Sequence, residues 1–275
     1  MTQISAADVS KLRKMTGAGI MDCKVALSEA SGDFEKAIEI IRKKGQAIAN
    51  KRADREASEG VVLARINSSG TFGAMIVLNC ETDFVAKNTD FISFAQNILD
   101  KAMDEKSSDL ESLKNIKLGD KTIGENIVDQ IGIIGEKIEL AYYDKIEASQ
   151  VVPYIHPGNK LATLVGFSKP AAEQVGKDVA MQVAAMNPVA IDKGDVSAET
   201  IEKEKEIGRE QARQEGKPEN MLDKIAEGKL NKFFKESTLL NQEFTKDAKK
   251  SVRQYLQESD KELTVTGFLR YSLNN

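Results

Sequence analysis

From Ser5 to Ile41 the apolar residues return every three to four positions, in three short runs broken by glycines. That period predicts three short helices. Ser5 is placed to cap the first, with Asp8 three residues on in capping-box position, and Val9, Leu12 and Arg13 follow at helical spacing. Thr16-Gly17-Ala18-Gly19 stops it, because glycine accepts the positive φ of a tight turn. The second helix is predicted from about Met21 to Ala30. Gly32 ends it and Asp33 caps the third, whose stripe is Phe34, Ala37, Ile38 and Ile41. Residues 42–59 mix Arg42, Lys43, Lys44, Lys51, Arg52 and Arg55 with Asp54, Glu56 and Glu59, the pattern of a solvated helical linker.

The period then changes to two. Val61, Leu63 and Ile66 lead into Asn67-Ser68-Ser69-Gly70, and an apolar β-branched run follows from Phe72 to Cys80, which predicts a hairpin. A helix is expected from about Thr89 to Met103, with Phe91, Phe94, Ala95, Ile98 and Leu99 inward. The same order recurs. Val151–His156, the turn Pro157-Gly158-Asn159 and Lys160–Phe167 form a second hairpin. A helix from about Ala171 to Met186 comes next, with Val175, Val179, Val183 and Met186 on one face. Lys137–Ile146 reads as a strand joining one of the sheets, and Leu263–Tyr271 as a final strand. Between Ser197 and Lys235 lie two strongly charged helical runs broken at Gly216-Lys217-Pro218. So polar a pair is expected to project as an antiparallel hairpin.

These elements predict an α+β fold with a three-helix N-terminal bundle, a duplicated core of antiparallel hairpins with helices, and a protruding helical hairpin. The expected divisions are 1–55 for the bundle and 56–147 for the first half of the core. The second half is 148–190 with 236–275, and 191–235 is the inserted hairpin.

Composition narrows the function classes. The chain has 275 residues, 41% hydrophobic and 30% charged, and no apolar stretch long enough to span a membrane. Met1–Ala7 lacks the basic start and apolar run of a signal peptide, so a cytoplasmic location is expected. A net charge of −4 and a pI near 5.4 speak against a dedicated nucleic-acid binder. Cys23 and Cys80 form neither a disulfide framework nor a zinc spacing, and the single histidine, His156, speaks against Ser-His or Cys-His chemistry. Neither a phosphate loop nor a dinucleotide fingerprint is present in the sequence. A binding protein without cofactor or metal is expected, rather than an enzyme.

Two stretches carry a family resemblance. One is Leu12-Arg13-Lys14-Met15-Thr16-Gly17-Ala18-Gly19-Ile20-Met21-Asp22-Cys23-Lys24-Val25-Ala26-Leu27; the other is Asn79-Cys80-Glu81-Thr82-Asp83-Phe84-Val85-Ala86-Lys87-Asn88. Both resemble signature motifs of the elongation factor Ts family. Ile134-Gly135-Glu136, Tyr154-Ile155-His156, Asp195-Val196-Ser197-Ala198-Glu199 and Val265-Thr266-Gly267-Phe268 add to the likeness, which covers essentially the whole chain. Ile123-Gly124-Glu125 mimics the third motif, but only the second copy precedes a strand. The chain departs from many members in carrying Ile20 where they have a second methionine, and in lacking a C-terminal helical module found in some.

The resemblance implies a ubiquitin-associated-like bundle and a guanine nucleotide exchange factor acting on the GTPase elongation factor Tu. It implies that Thr82, Asp83, Phe84 and Val85 enter the partner's GTPase domain and disturb its Mg²⁺ site. Read alone, Asp83 caps its own helix and Phe84 fills a core. The resemblance also implies a contact face at Leu12, Arg13, Ile20 and Met21, with further contacts at Ile134, Gly135 and His156. It implies no direct nucleotide site, nucleic-acid partner or membrane, and leaves a homodimer open. The residues alone leave two other classes: a ribosome- or RNA-associated protein using the basic run at 42–55, and an adaptor using only the bundle. The interleaved acids weaken the first, and the second leaves the two hairpin-helix units without a role.

Overall fold

A computed structural model of the chain describes residues 4–273. Of the N-terminal stretch read above for a leader, residues 1–3 lie outside the described residues. The described chain is mixed helix and antiparallel sheet, as the periodicities predict.

The bundle is α1 (Ala6–Thr16), α2 (Ile20–Glu29) and α3 (Phe34–Arg52). Ser5 and Asp8 form the expected capping box, Gly17 ends α1 with φ 71°, and Asp33 caps α3. Val9, Leu12, Cys23, Ala26, Leu27 and Ala37 make its core. The helical linker expected at 42–59 is helical as far as Arg52, as a continuation of α3. Gly45 is buried on the same helix face as Ile38 and Ile41, so the helical stripe outlasts the charged run around it.

Next come β1 (Glu59–Ile66), β2 (Phe72–Cys80), α4 (Asp83–Ala86) and α5 (Thr89–Glu105). They are followed by α6 (Leu110–Lys114), the short strands β3 (Lys117–Leu118) and β4 (Lys121–Thr122), α7 (Ile123–Ile134) and β5 (Ile138–Glu147). One three-stranded sheet has the order β1-β2-β5, so the strand expected from Lys137 joins the first hairpin. The two Ile-Gly-Glu copies bracket a single helix. The first opens α7 inside a Thr122–Glu125 capping box, and the second closes it at Gly135 with φ 78°.

The chain continues through β6 (Gln150–Ile155), β7 (Leu161–Phe167), α8 (Glu173–Met186), α9 (Ala198–Gln214) and α10 (Leu222–Ser237). It ends with β8 (Glu243–Phe244), β9 (Asp247–Ser251), α11 (Val252–Ser259) and β10 (Val265–Ser272). The second three-stranded sheet is antiparallel, in the order β10-β7-β6, with Val152 opposite Val165 and Leu269 opposite Leu164. Beneath it Val165, Phe167, Val179, Val183, Leu239, Val252 and Leu256 form a core. Met186, expected on the inward face of α8, is exposed instead, because it is the last helical residue before Asn187 turns into the left-handed region. The pair α9 and α10 runs antiparallel, with Gly208 against Ala226 and Arg209 bonded to Asp223.

The chain divides into two compact units. The first takes in the chain up to Leu63 and Ile76–Asp144; the second takes in Ala64–Met75 and Lys145–Ser272. No helix among the described residues is long and apolar enough to cross a membrane.

Within the first unit α3 and α7 cross with almost no space between backbones. A Cβ added at Gly132 would stand 2.8 Å from the Gly45 Cα. One added at Gly45 would meet only ordinary contacts, at 3.6 Å. Gly132→Ala is therefore expected to lower stability by about 1–3 kcal/mol through forced separation of the helices. Gly45→Ala is expected to leave stability unchanged or raise it by up to ~1 kcal/mol, the usual helix advantage of alanine. Urea unfolding of both variants checks this; equal losses would show that the crossing does not depend on the missing Cβ at Gly132.

Candidate functional site

Strand β2 ends at Cys80, and the next five residues hold the first candidate motif. Thr82 is the N-cap of α4, its backbone extended at φ −124° and its hydroxyl accepting from the Val85 N–H at 3.4 Å. The reading of Asp83 as the cap is thus displaced by one residue, and Asp83 is the first helical residue. Its carboxylate accepts from Lys87 Nζ at 2.6 Å, one turn on, and the pair holds the Lys87 ammonium above its ordinary value. Val85 is half-buried and Ala86 is buried. Phe84 is not core filler: it is 84% exposed, the most exposed large hydrophobic side chain among the described residues.

The loop that presents this turn is tied down from two sides. The Glu136 carboxylate accepts from the Glu81 N–H at 3.1 Å and the Thr82 N–H at 3.0 Å through one oxygen. Its other oxygen accepts from the Thr82 hydroxyl at 2.7 Å. The Glu81 carboxylate accepts from Arg52 Nη1 at 2.7 and 2.9 Å and from the Lys137 N–H at 2.6 Å. The Lys137 N–H, followed by the Arg52 guanidinium, holds Glu81 below the usual carboxylate range. Burial, reinforced by the nearby Glu136 charge, pushes the Cys80 thiol up to about 12, so it stays protonated and donates to the Thr82 carbonyl at 3.2 Å.

The structure therefore brings Glu136, next to Ile134 and Gly135 in the chain, onto Thr82, although more than fifty positions separate them. Ile134 and Gly135 are half-buried at the end of α7. Spacing could not reveal the roles of Glu136, Glu81 and Arg52, because each depends on a partner distant in sequence.

The bundle face separates into two kinds of residue. Arg13, Ile20 and Met21 are exposed, Ile20 at 56% and Met21 at 67%. Arg13 and Ile20 line a shallow groove with Ile4, Val9 and Lys24. Leu12 corrects the expectation: it is fully buried in the bundle core, three residues from Val9 on the inward stripe, and presents no surface to a partner. His156 lies in the second unit, exposed just past β6, and its Nδ1 stands 2.8 Å from the Tyr154 hydroxyl.

Comparison with known proteins agrees with the motifs. The family described as elongation factor TS matches residues 81–275. The chain is 53% identical over 272 residues to elongation factor Ts of Porphyromonas gingivalis, covering 98% of each chain. It is 52% identical over 275 residues to that of Christiangramia forsetii, covering 99% of this chain and all of the other. It is 47% identical over 286 residues to that of Chlorobium phaeobacteroides, covering 99% of each. With a match over most of its length and relatives of this identity aligned end to end, the chain belongs to the elongation factor Ts family.

Proposed function

We propose that the chain is a guanine nucleotide exchange factor for elongation factor Tu in translation elongation, and that Thr82–Val85 is its working end. The observation that carries the second part is Phe84, a large apolar side chain 84% exposed on a single helical turn whose base is held by charged hydrogen bonds. An isolated solvated phenyl ring has no folding role, whereas burying it in a partner groove contributes roughly 1.5–3 kcal/mol.

A GTPase that holds its nucleotide at nanomolar affinity binds it with about 12 kcal/mol. An exchange factor offsets much of this by binding the nucleotide-free form more tightly, and nucleotide in turn weakens the factor by the same coupling. In this reading the Thr82–Val85 turn enters the partner's GTPase domain and disturbs its Mg²⁺ site. The ion neutralises phosphate charge, so its loss loosens the diphosphate. Arg13, Ile20 and Met21 on the bundle dock on the same domain, with the Ile20-Met21 pair as apolar anchor. Ile134 and Gly135, which precede Glu136 in the chain, add further contacts to the partner, and His156 serves a contact from the second unit. Leu12 supports the bundle face from within. No covalent step is required, and the chain needs no nucleotide site of its own.

The test is release of a fluorescent GDP analogue from purified elongation factor Tu of the same organism, with and without this protein. Acceleration at catalytic amounts of the factor is the expected result. A folded protein that leaves the release rate unchanged would overturn the assignment.

A further inference from the structure

We infer that Glu136 is a positioning residue for nucleotide release: its carboxylate sets the direction in which α4 presents Phe84. The inference rests on the exchange reading above and adds to it a residue outside the inserted turn.

The helix α4 is one turn long and cannot hold its own orientation, because a helix this short closes too few internal bonds to be stable. Its direction has to come from its N-terminal attachment. There, two consecutive N–H groups, Glu81 and Thr82, converge on one Glu136 oxygen. Such an arrangement fixes the peptide plane between them as well as its position. The second oxygen accepts a hydrogen bond from the Thr82 hydroxyl, which leaves a lone pair of that hydroxyl aimed at the Val85 N–H. Glu136 thereby decides which way the cap points, and the cap decides which way the turn runs. Charge-assisted bonds of this kind are shorter and stronger than neutral ones.

Glu136 is itself placed firmly. It follows Gly135, whose left-handed conformation closes α7, and precedes Lys137. The Lys137 N–H is bonded to Glu81 and its ammonium to the Ala53 carbonyl. Glu81 is gripped in turn by Arg52 at the end of α3. The turn carrying Phe84 is thus referred to the ends of two packed helices, α3 and α7. A working group held by such a supporting shell is preorganised, whereas one on a free loop must be ordered during binding.

Glu136→Ala is expected to lower the maximal release rate at saturating factor by at least about tenfold, the scale on which misplacing a working group acts. Affinity for nucleotide-free elongation factor Tu, supplied in large part by the bundle, is expected to fall by a smaller factor. Glu136→Gln keeps an acceptor for the two N–H groups and offers an N–H to the Thr82 hydroxyl, so it is expected to recover most of the rate.

The deciding measurement is the double variant Glu136→Ala, Phe84→Ala. If Glu136 acts through Phe84, the double variant is no slower than Phe84→Ala alone, within about twofold, because coupled residues are non-additive. Should the Glu136→Ala factor reappear in full on the Phe84→Ala background, the positioning role is overturned. If Glu136→Ala does not fold, Thr82→Val takes its place in the same cycle, since it removes the hydroxyl from the other end of the bond. Wild-type protein that fails to accelerate release sinks the exchange reading. Wild-type acceleration that Phe84→Ala abolishes and Glu136→Ala leaves intact sinks only the positioning role.

Discussion

Replacing Phe84 with alanine is expected to leave the fold and its stability intact and to slow nucleotide release about thirtyfold or more. The two halves of this expectation come from the same observation. At 84% exposure the ring touches little of its own chain, so truncation creates no cavity. Surface substitutions of this kind usually stay within ~0.5 kcal/mol, and the melting temperature should move by no more than about 2 °C. In a complex the ring is the type of aromatic anchor whose loss commonly costs ~2 kcal/mol or more. At 1.4 kcal/mol per factor of ten, that is about thirtyfold. Asp83→Ala removes the ion pair with Lys87, whose side chain is 73% exposed. That pair is solvated, so its loss is expected to leave stability nearly unchanged while release falls. The pair of measurements is thermal unfolding beside stopped-flow release of the fluorescent GDP analogue. A Phe84→Ala protein as active as wild type would sink the role of Phe84 as an inserted anchor while leaving the exchange function standing. One that unfolds well below wild type would show that the ring packs on its own chain.

How much of this was legible in the sequence depends on the range of the interaction that decides each feature. The capping boxes at Ser5 and the hairpin turns are decided within a few residues, and they stand where the pattern predicts them. Helix α7 escaped because Ile123–Ile134 carries apolar residues on more than one side and glycines at 124 and 132, which weaken an isolated helix. Gly132 is there because Gly45 of another helix lies against it, a reason that no local window contains. The short β8 and β9 and the helix α11 escaped because two- to eight-residue elements complete too few periods. At the site, the family resemblance singled out the Thr82–Val85 stretch, whereas the residues read alone made Phe84 core filler and missed its outward direction. A single turn has no repeat from which to read a face. Nor could charge pattern separate Arg52, which grips Glu81, from the solvated lysines beside it.

Gly60→Ala is expected to be the most damaging single-methyl addition in the first unit, and to slow release as well as destabilise. Gly60 lies in β1 with φ +147°, and a Cβ there would stand 2.2 Å from the Leu78 carbonyl oxygen and 2.8 Å from the Asn79 Cα. Both are backbone atoms of β2 and cannot swing aside as a flexible side chain would. The backbone strain of alanine in this region costs ~1–3 kcal/mol, and forcing strands apart costs a further ~1–3 kcal/mol. A total near 3 kcal/mol lowers the melting temperature by roughly 6–12 °C at this chain length. The displaced residues are the last of β2 before Cys80, Glu81 and Thr82, so the strain falls on the segment from which the Phe84 turn is launched. Gly70→Ala, in the turn of the same hairpin, is the control. Its φ of +69° imposes a penalty on alanine, but its Cβ would meet nothing within 4 Å. It should cost only about 1–2 kcal/mol and leave release untouched. Circular dichroism melts and release rates of the two variants separate the terms. If Gly60→Ala behaves like Gly70→Ala in both, the close approach of β1 to the end of β2 yields to a methyl group, and the strand is no rigid platform for the turn. If Gly60→Ala loses stability and release together while Gly70→Ala loses only a little stability, the platform and the working turn respond as one body.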